Sequence, residues 1–400
     1  MTKLEKQADL LFNNVAGWEQ SALERIGKRV KKYGKMSLSD VKAINNIAVA
    51  KQDMKAITKE LAKVTGKNIK EVEKMYGDLL EQQHLANKPL YDYRGKKFVP
   101  FAENKEMQAI VKRYAENMGG TMMNLSNTKL LKIIDADGNP VALQKGYTDI
   151  LDRATMQVAS GSTDFHTAMR DAIKQLGDGG MRVDYGNGIT RRLDTVVRQN
   201  LMWGAKQASI AYNDMIGEEL GCDGIEVDWH SFPRPSHEFM QGKQFILGKE
   251  KVINGVKFES ADEALKRLED YGCLHFKTPI ICGISEPTFS QAELDRLNAK
   301  NKQTFEVDGK TMTGYEVTQA MRRLETAIRD KKTAKATAKA SGDKVLEQKY
   351  ADELAAYQEK YDQISDATGI AQDKTRTAVI KSDKDKDKKT KKGKKTESST

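Results

Sequence analysis

The chain has 400 residues, 38% hydrophobic and 31% charged, with a formal net charge of +10. That length allows two or three domains, no apolar run approaches the roughly 20 residues of a membrane span, and three cysteines at irregular positions argue against a disulfide framework. The charge sits at one end: residues 381–400 hold nine lysines against four acidic residues, a net of +5, so the rest is near neutral and not a strongly basic nucleic-acid binder. The N-terminus, MTKLEKQADLLFNNV, lacks the apolar segment of a signal peptide, and a cytoplasmic, reducing setting is expected.

Residues 1–120 read as an N-terminal helical region. Leu4, Ala8, Leu11, Val15, Trp18 and Leu23 recur near helical spacing with charged residues between them. Ser37 and Asp40 suit the start of a helix over Val41–Leu61, Thr65-Gly66-Lys67-Asn68 suggests a break, and a further helix is expected over Ile69–Leu85. Tyr91–Pro100 reads as extended. Residues 121–310 are expected to form a small α+β core. Within it Asp135–Pro140 resembles a calcium loop, but the twelfth position, where a bidentate glutamate is required, is Gly146. A turn between two short strands is the better reading. Tyr147–Leu176 is helical with a hinge at Ser160-Gly161-Ser162, and Met181–Tyr185 is a short strand. Gly186-Asn187-Gly188 is too brief to cradle a phosphate. Arg191, Arg192 and Arg198, on or beside a helix reaching Leu220, read as a solvated or partner-facing basic edge.

The stretch Glu226–Phe289 breaks the helical pattern. It holds three of the five histidines, two of the three cysteines and four of the seven prolines. Proline fixes φ and removes a donor, so an irregular knot of turns and short strands is expected. His230, His237, Cys273 and His275 combine a thiol with imidazoles, a zinc-type ligand set that would staple such a knot as a structural site. The same four residues also read as packing and hydrogen-bonding groups, because Cys-x-His is an unusual zinc spacing. No cofactor other than this candidate zinc is implied. A metal-dependent hydrolase needs an open metal position and a general base; Glu238 is the one acidic candidate and nothing resembles HExxH, so no enzyme is expected.

After a serine-capped helix over Ser290–Lys300 and a strand turn at Phe305–Lys310, residues 311–370 show the clearest periodicity. Val317, Met321, Leu324 and Ile328 pair with Tyr350, Leu354, Tyr357, Tyr361 and Ile364 across Ser341-Gly342-Asp343, which gives an antiparallel helical hairpin of coiled-coil type. Alanines near the tip predict a shallow seam that is soft at the turn. Arg322 and Arg329, one heptad apart, together with Tyr350, Tyr357 and Tyr361, are the candidate partner-binding residues, because two helices alone do not bury a tyrosine ring. Residues 371–400 are expected to be a disordered Lys-rich tail, whose last twenty residues carry no apolar side chain.

Across residues 120–370, the ordered series His230, Arg234-Pro235, His237, Gln241-Gly242-Lys243, Cys273-Leu274-His275, Pro279 and Gly283-Ile284-Ser285 resembles the minor capsid proteins of tailed bacteriophages. Tyr315-Glu316, Gln319, Arg322-Arg323, Glu325 and Ile328-Arg329 continue it, and Asn124-Leu125-Ser126 extends it more weakly upstream. The branch is phage minor capsid protein 2, related to the Mu F-like head morphogenesis proteins. Gly272-Cys273-Leu274-His275 departs from that family's frequent Asn-Cys-Arg-His. The resemblance implies a structural head protein in the virion, assembled in the host cytoplasm, acting near the portal in head morphogenesis and DNA packaging. Its implied partners are the portal and other head proteins, with DNA through the Lys-rich tail and no membrane. A polybasic-tailed DNA-binding accessory protein is the alternative, and a metal-dependent hydrolase a weaker one.

Overall fold

The computed structural model describes residues 2–33, 45–127, 131–135, 137–159, 165–184, 190–270 and 272–380. Helix α1 (Lys3–Tyr33) buries the whole apolar series expected of it, from Leu4 to Leu23. Helix α2 (Asn46–Ala86) starts at Asn45, whose side chain accepts from the Ala48 N–H at 3.0 Å; the expected start at Ser37 and Asp40 lies outside the described residues. It then runs unbroken through Thr65–Asn68 for 41 residues. Gly66 costs only about 1 kcal/mol in a helix, less than the burial of Ile57 and Leu61 before it and Val72, Met75, Tyr76 and Leu80 after it. Tyr91 and Tyr93 fall in a short helix α3 (Lys88–Arg94) rather than a strand. Pro89 occupies its first turn, where a missing N–H costs nothing, and Gly95 ends it at φ 61°.

Helix α4 (Lys105–Asn127) crosses the expected boundary at residue 120. It leads to β1 (Leu131–Ile134) and β2 (Pro140–Ala142), joined by the expected turn. One Asp135 carboxylate oxygen accepts from the N–H groups of Asp137 at 3.0 Å and Asn139 at 2.8 Å, an Asx turn. Helices α5 (Leu143–Ala159) and α6 (Phe165–Gly179) follow; the expected hinge between them, like Gly186–Gly188, lies outside the described residues. Strands β3 (Arg182–Asp184) and β4 (Thr190–Arg192) complete an antiparallel sheet of order β2-β1-β3-β4. The central helix α7 (Leu193–Leu220) buries Leu201, Ala205, Ala208 and Tyr212 completely. One continuous hydrophobic cluster joins α1 through α7.

A second layer is the five-stranded sheet β7-β8-β6-β5-β9, built from β5 (Gly224–Val227), β6 (Gln244–Ile246), β7 (Lys251–Ile253), β8 (Val256–Ser260) and β9 (Lys277–Ile280). Its pairings are antiparallel except β6 with β8. Helix α8 (Asp262–Leu268) covers one face, where Ile225, Val227, Phe245, Ala264 and Leu268 are buried together. Helix α9 (Gln291–Asn301) is capped by Ser290 as expected. The hairpin β10 (Thr304–Val307) and β11 (Lys310–Thr313) then leads into α10 (Gly314–Ser341) and α11 (Lys344–Thr368). Gly342 turns at φ 82° and Asp343 caps α11, accepting from the Leu346 N–H at 3.0 Å.

The hairpin tip is not soft. Ala334 and Ala338 are fully buried, and two glycines let neighbouring helices close on them: a Cβ on Gly27 of α1 would lie 3.0 Å from the Thr337 carbonyl oxygen, and one on Gly177 of α6 3.1 Å from Ala334 Cβ. Small residues on both sides allow this close approach. Residues 371–380 form an ordered strap, where the sequence suggested the start of a tail. The Asp373 N–H donates to the Tyr361 hydroxyl at 2.8 Å, Asn13 Nδ2 donates to the Thr375 carbonyl at 2.9 Å, and Arg376 pairs with Glu325 at 3.2 Å.

Candidate metal centre and an arginine-lined cavity

The irregular segment is held by side chains that replace missing ladder bonds. The Asp228 carboxylate accepts from the Phe276 N–H at 2.8 Å, tying the two halves of the knot. Trp229 Nε1 donates to Asn298 and the Phe232 N–H to Asn301, both on α9. Phe232 adopts φ 52°, and its ring occupies the space a Cβ on Gly314 would need, with Cδ1 2.0 Å from that position. A non-glycine residue there is strained, and the strain is held by these contacts on both sides.

Within this frame three of the four predicted ligands come together. A ring nitrogen of His237, the Cys273 thiol and a ring nitrogen of His275 all lie within 4.8 Å of one another, and all three residues are buried. His237 sits on a 3-10 turn (Pro235–Met240), where its Nε2 lies 3.0 Å from an Asp270 carboxylate oxygen. His275 Nε2 lies 3.1 Å from Gln241 Oε1, the oxygen that also accepts from the His230 N–H at 3.0 Å. His275 Nδ1 is 3.7 Å from Cys273 Sγ. His230 is different: half-buried, it places its ring 4.2 Å from that of His275 and its Nδ1 3.2 Å from the Ser231 carbonyl oxygen. Burial, with the nearby His230, His237 and Lys206, pushes His275 down to about 2, and burial also lowers His237 against the pull of Asp270. Both imidazoles are therefore neutral at physiological pH. Glu238, the one candidate general base, is exposed.

Lys206, Gln241 and Asp270 are the supporting residues that sequence reasoning missed. Lys206 is 2% exposed on α7, with its ammonium 3.4 Å from the Cys273 carbonyl oxygen.

Beside the knot, α7, α10, the Gly272–Leu274 segment and Arg376 of the strap enclose a cavity of about 460 Å³. Arg198, Arg322, Arg323, Arg329 and Arg376 line it. Three of these are neutralised inside the chain: Arg198 by Asp9, Arg329 by Asp194 at 2.9 Å, and Arg376 by Glu325. Arg322 and Arg323 are exposed and have no ion pair among the described residues. The Arg322 guanidinium, crowded by protein and by the like charges of Arg376 and Arg198, is brought down to about 10. Desolvation is the larger cause, and the like charges add to it against Glu325 and Glu5.

These positions revise the partner-binding expectation. Arg329 is 5% exposed, with its guanidinium 4.6 Å from the Phe12 ring centroid; Tyr350 is 0% and Tyr361 3% exposed. Packing of α1, α6 and the strap around the hairpin buries what two helices alone would leave open. Only Arg322 and half-buried Tyr357 remain accessible from that set. The basic edge is revised too: Arg192, 7% exposed, pairs with Glu19 at 3.3 Å and Asp330 at 2.8 Å, and Arg198 is turned to Asp9.

Searches of curated proteins and of solved structures returned no match. The family model for phage minor capsid protein 2 matches residues 2–393, nearly the whole chain, through the helical body, the knot and the hairpin alike. The chain belongs to the phage minor capsid protein 2 family, a family of structural proteins of the phage virion.

Proposed function

We propose that this chain works at the portal vertex of a tailed-phage head, as a structural element of head assembly and DNA packaging and not as an enzyme. The observation that carries the reading is the match to a minor capsid family along residues 2–393. Charge then selects the docking face. Arg322 and Arg323 stand on the rim of the cavity without an internal counter-ion among the described residues, so an acidic surface of the portal ring is the complement. The Lys-rich residues 381–400, which lie outside the described residues, supply a contact to packaged DNA through counterion release.

The test is sedimentation with assembled heads together with a binding assay on purified portal rings, free of DNA. Arg322→Glu with Arg323→Glu is expected to weaken portal binding by about tenfold, or about 1.4 kcal/mol, with the unfolding midpoint unchanged. Undiminished binding by that variant overturns the docking face. Absence of the protein from heads and head precursors overturns the head assignment, and binding that requires both DNA and residues 381–400 favours the DNA-binding accessory protein.

A further inference from the structure

We propose that His237, Cys273 and His275 bind one Zn²⁺ ion, with His230 an adjacent ring and not a ligand. Three observations of different kinds carry this. The first is donor chemistry: one thiol and two imidazoles, buried together within 4.8 Å, are a borderline-soft set suited to zinc.

The second is the hydrogen bonding behind the ligands. Gln241 Oε1 accepts from the His230 N–H, which fixes the orientation of the amide, so His275 Nε2 must donate to that same oxygen. His237 Nε2 faces the Asp270 carboxylate and donates likewise. In both rings the proton is thereby assigned to Nε2, and Nδ1 keeps the lone pair. A carboxylate or carbonyl behind each metal-bound histidine is the arrangement that orients the ring and raises its basicity.

The third is distance. A tetrahedral zinc with ordinary Zn–S and Zn–N lengths separates a sulfur from a nitrogen ligand by about 3.6 Å. His275 Nδ1 and Cys273 Sγ are 3.7 Å apart. The ion joins the 3-10 turn of His237 to the Cys273–His275 segment, two irregular stretches of the knot. Three protein ligands leave a fourth position for a non-protein ligand such as water. His230 does not complete the set: it lies outside the group of ligand atoms within 4.8 Å of one another, with its ring 4.2 Å from that of His275 and tilted by 35°, and its Nδ1 turned to the Ser231 carbonyl.

The test uses the full-length protein without an affinity tag. Zinc content by elemental analysis should be about one equivalent, retained in His230→Ala and lost in Cys273→Ser. Cobalt reconstitution should give a thiolate-to-cobalt band in wild type and in His230→Ala, absent from Cys273→Ser. Should Cys273→Ser fail to fold, the wild type alone decides: chelation should lower the melting midpoint by several degrees, and added zinc should restore it. Protein that takes up neither zinc nor cobalt, with a midpoint indifferent to chelator, overturns the site. Loss of the band in folded His230→Ala overturns the three-ligand assignment, and zinc retained by Cys273→Ser places the ion elsewhere.

Discussion

Replacing Arg329 with methionine should cost about 3–5 kcal/mol of stability, whereas Arg322→Met should cost less than about 0.5 kcal/mol. The two arginines are one heptad apart on α10, yet the fold gives them opposite roles. Arg329 donates to Asp194 at 2.9 Å and to the carbonyl oxygens of Glu325 and Arg376, and Asp194 is 0% exposed. Burial pushes the Asp194 carboxyl up, but Arg329 and Arg192 overcome it and hold the group at about 2. Against an unfolded value near 3.8, that depression is worth on the order of 2 kcal/mol. Because the folded value is lowered, this stability is present above about pH 4 and is lost as pH falls through about 2. Methionine preserves most of the packed stem while removing the charge. Asp194 then keeps Arg192, at 3.6 Å, and its Thr195 hydrogen bonds, and burial raises its carboxyl. The variant should therefore lose further stability as pH rises from 4 towards 7, a slope this group does not give the wild type. Urea unfolding at several pH values reads the effect. Adding Asp194→Asn, which keeps the oxygen that accepts from the Thr195 N–H at 2.6 Å, should recover at least half of the loss in a double-mutant cycle. A loss below about 1 kcal/mol at pH 7, a loss independent of pH, or no recovery by Asp194→Asn would refute the reasoning.

Gly27→Ala tests the clamp on the hairpin tip. Alanine gains about 1 kcal/mol of helix propensity, but its Cβ would meet the backbone oxygen of Thr337 at 3.0 Å, and overpacking costs about 1–3 kcal/mol. A net loss of about 1 kcal/mol in chemical denaturation is expected, and a more stable variant would show that the helices do not approach this closely. Truncation after Ile380 should leave the urea midpoint unchanged. Truncation after Thr368 removes the Arg376–Glu325 and Asp373–Tyr361 contacts and should cost about 2–4 kcal/mol; equal midpoints for the two truncations would dispose of the strap.

What was legible in the sequence was what local physics controls. The 3.6-residue recurrence from Leu4 to Leu23 and along both hairpin arms specified helices, because amphipathic spacing is a property of the segment itself. Ser290, Gly342, Asp343 and the Asp135 turn were readable for the same reason: each satisfies backbone groups within a few residues of itself. The proline density announced an irregular knot, and the order of its histidines and cysteine, with the arginine series beyond, carried the resemblance to the capsid family.

The remainder was decided by contacts distant in sequence. Whether Gly66 breaks a helix depends on how much apolar surface α2 buries on either side of it. Whether Arg192, Arg198 and Arg329 face solvent depends on Glu19, Asp9 and Asp194, carboxylates between 135 and 189 residues away. Tyr350 and Tyr361 of the hairpin are buried by α6 and by a strap that no local pattern foretells. In the His/Cys cluster, side-chain chemistry suggested four candidate ligands, but only the tertiary structure separated three convergent side chains from His230 and placed Gln241 and Asp270 beside them. A charged or metal-binding side chain acquires its role from the partner that meets it, and the tertiary fold chooses that partner.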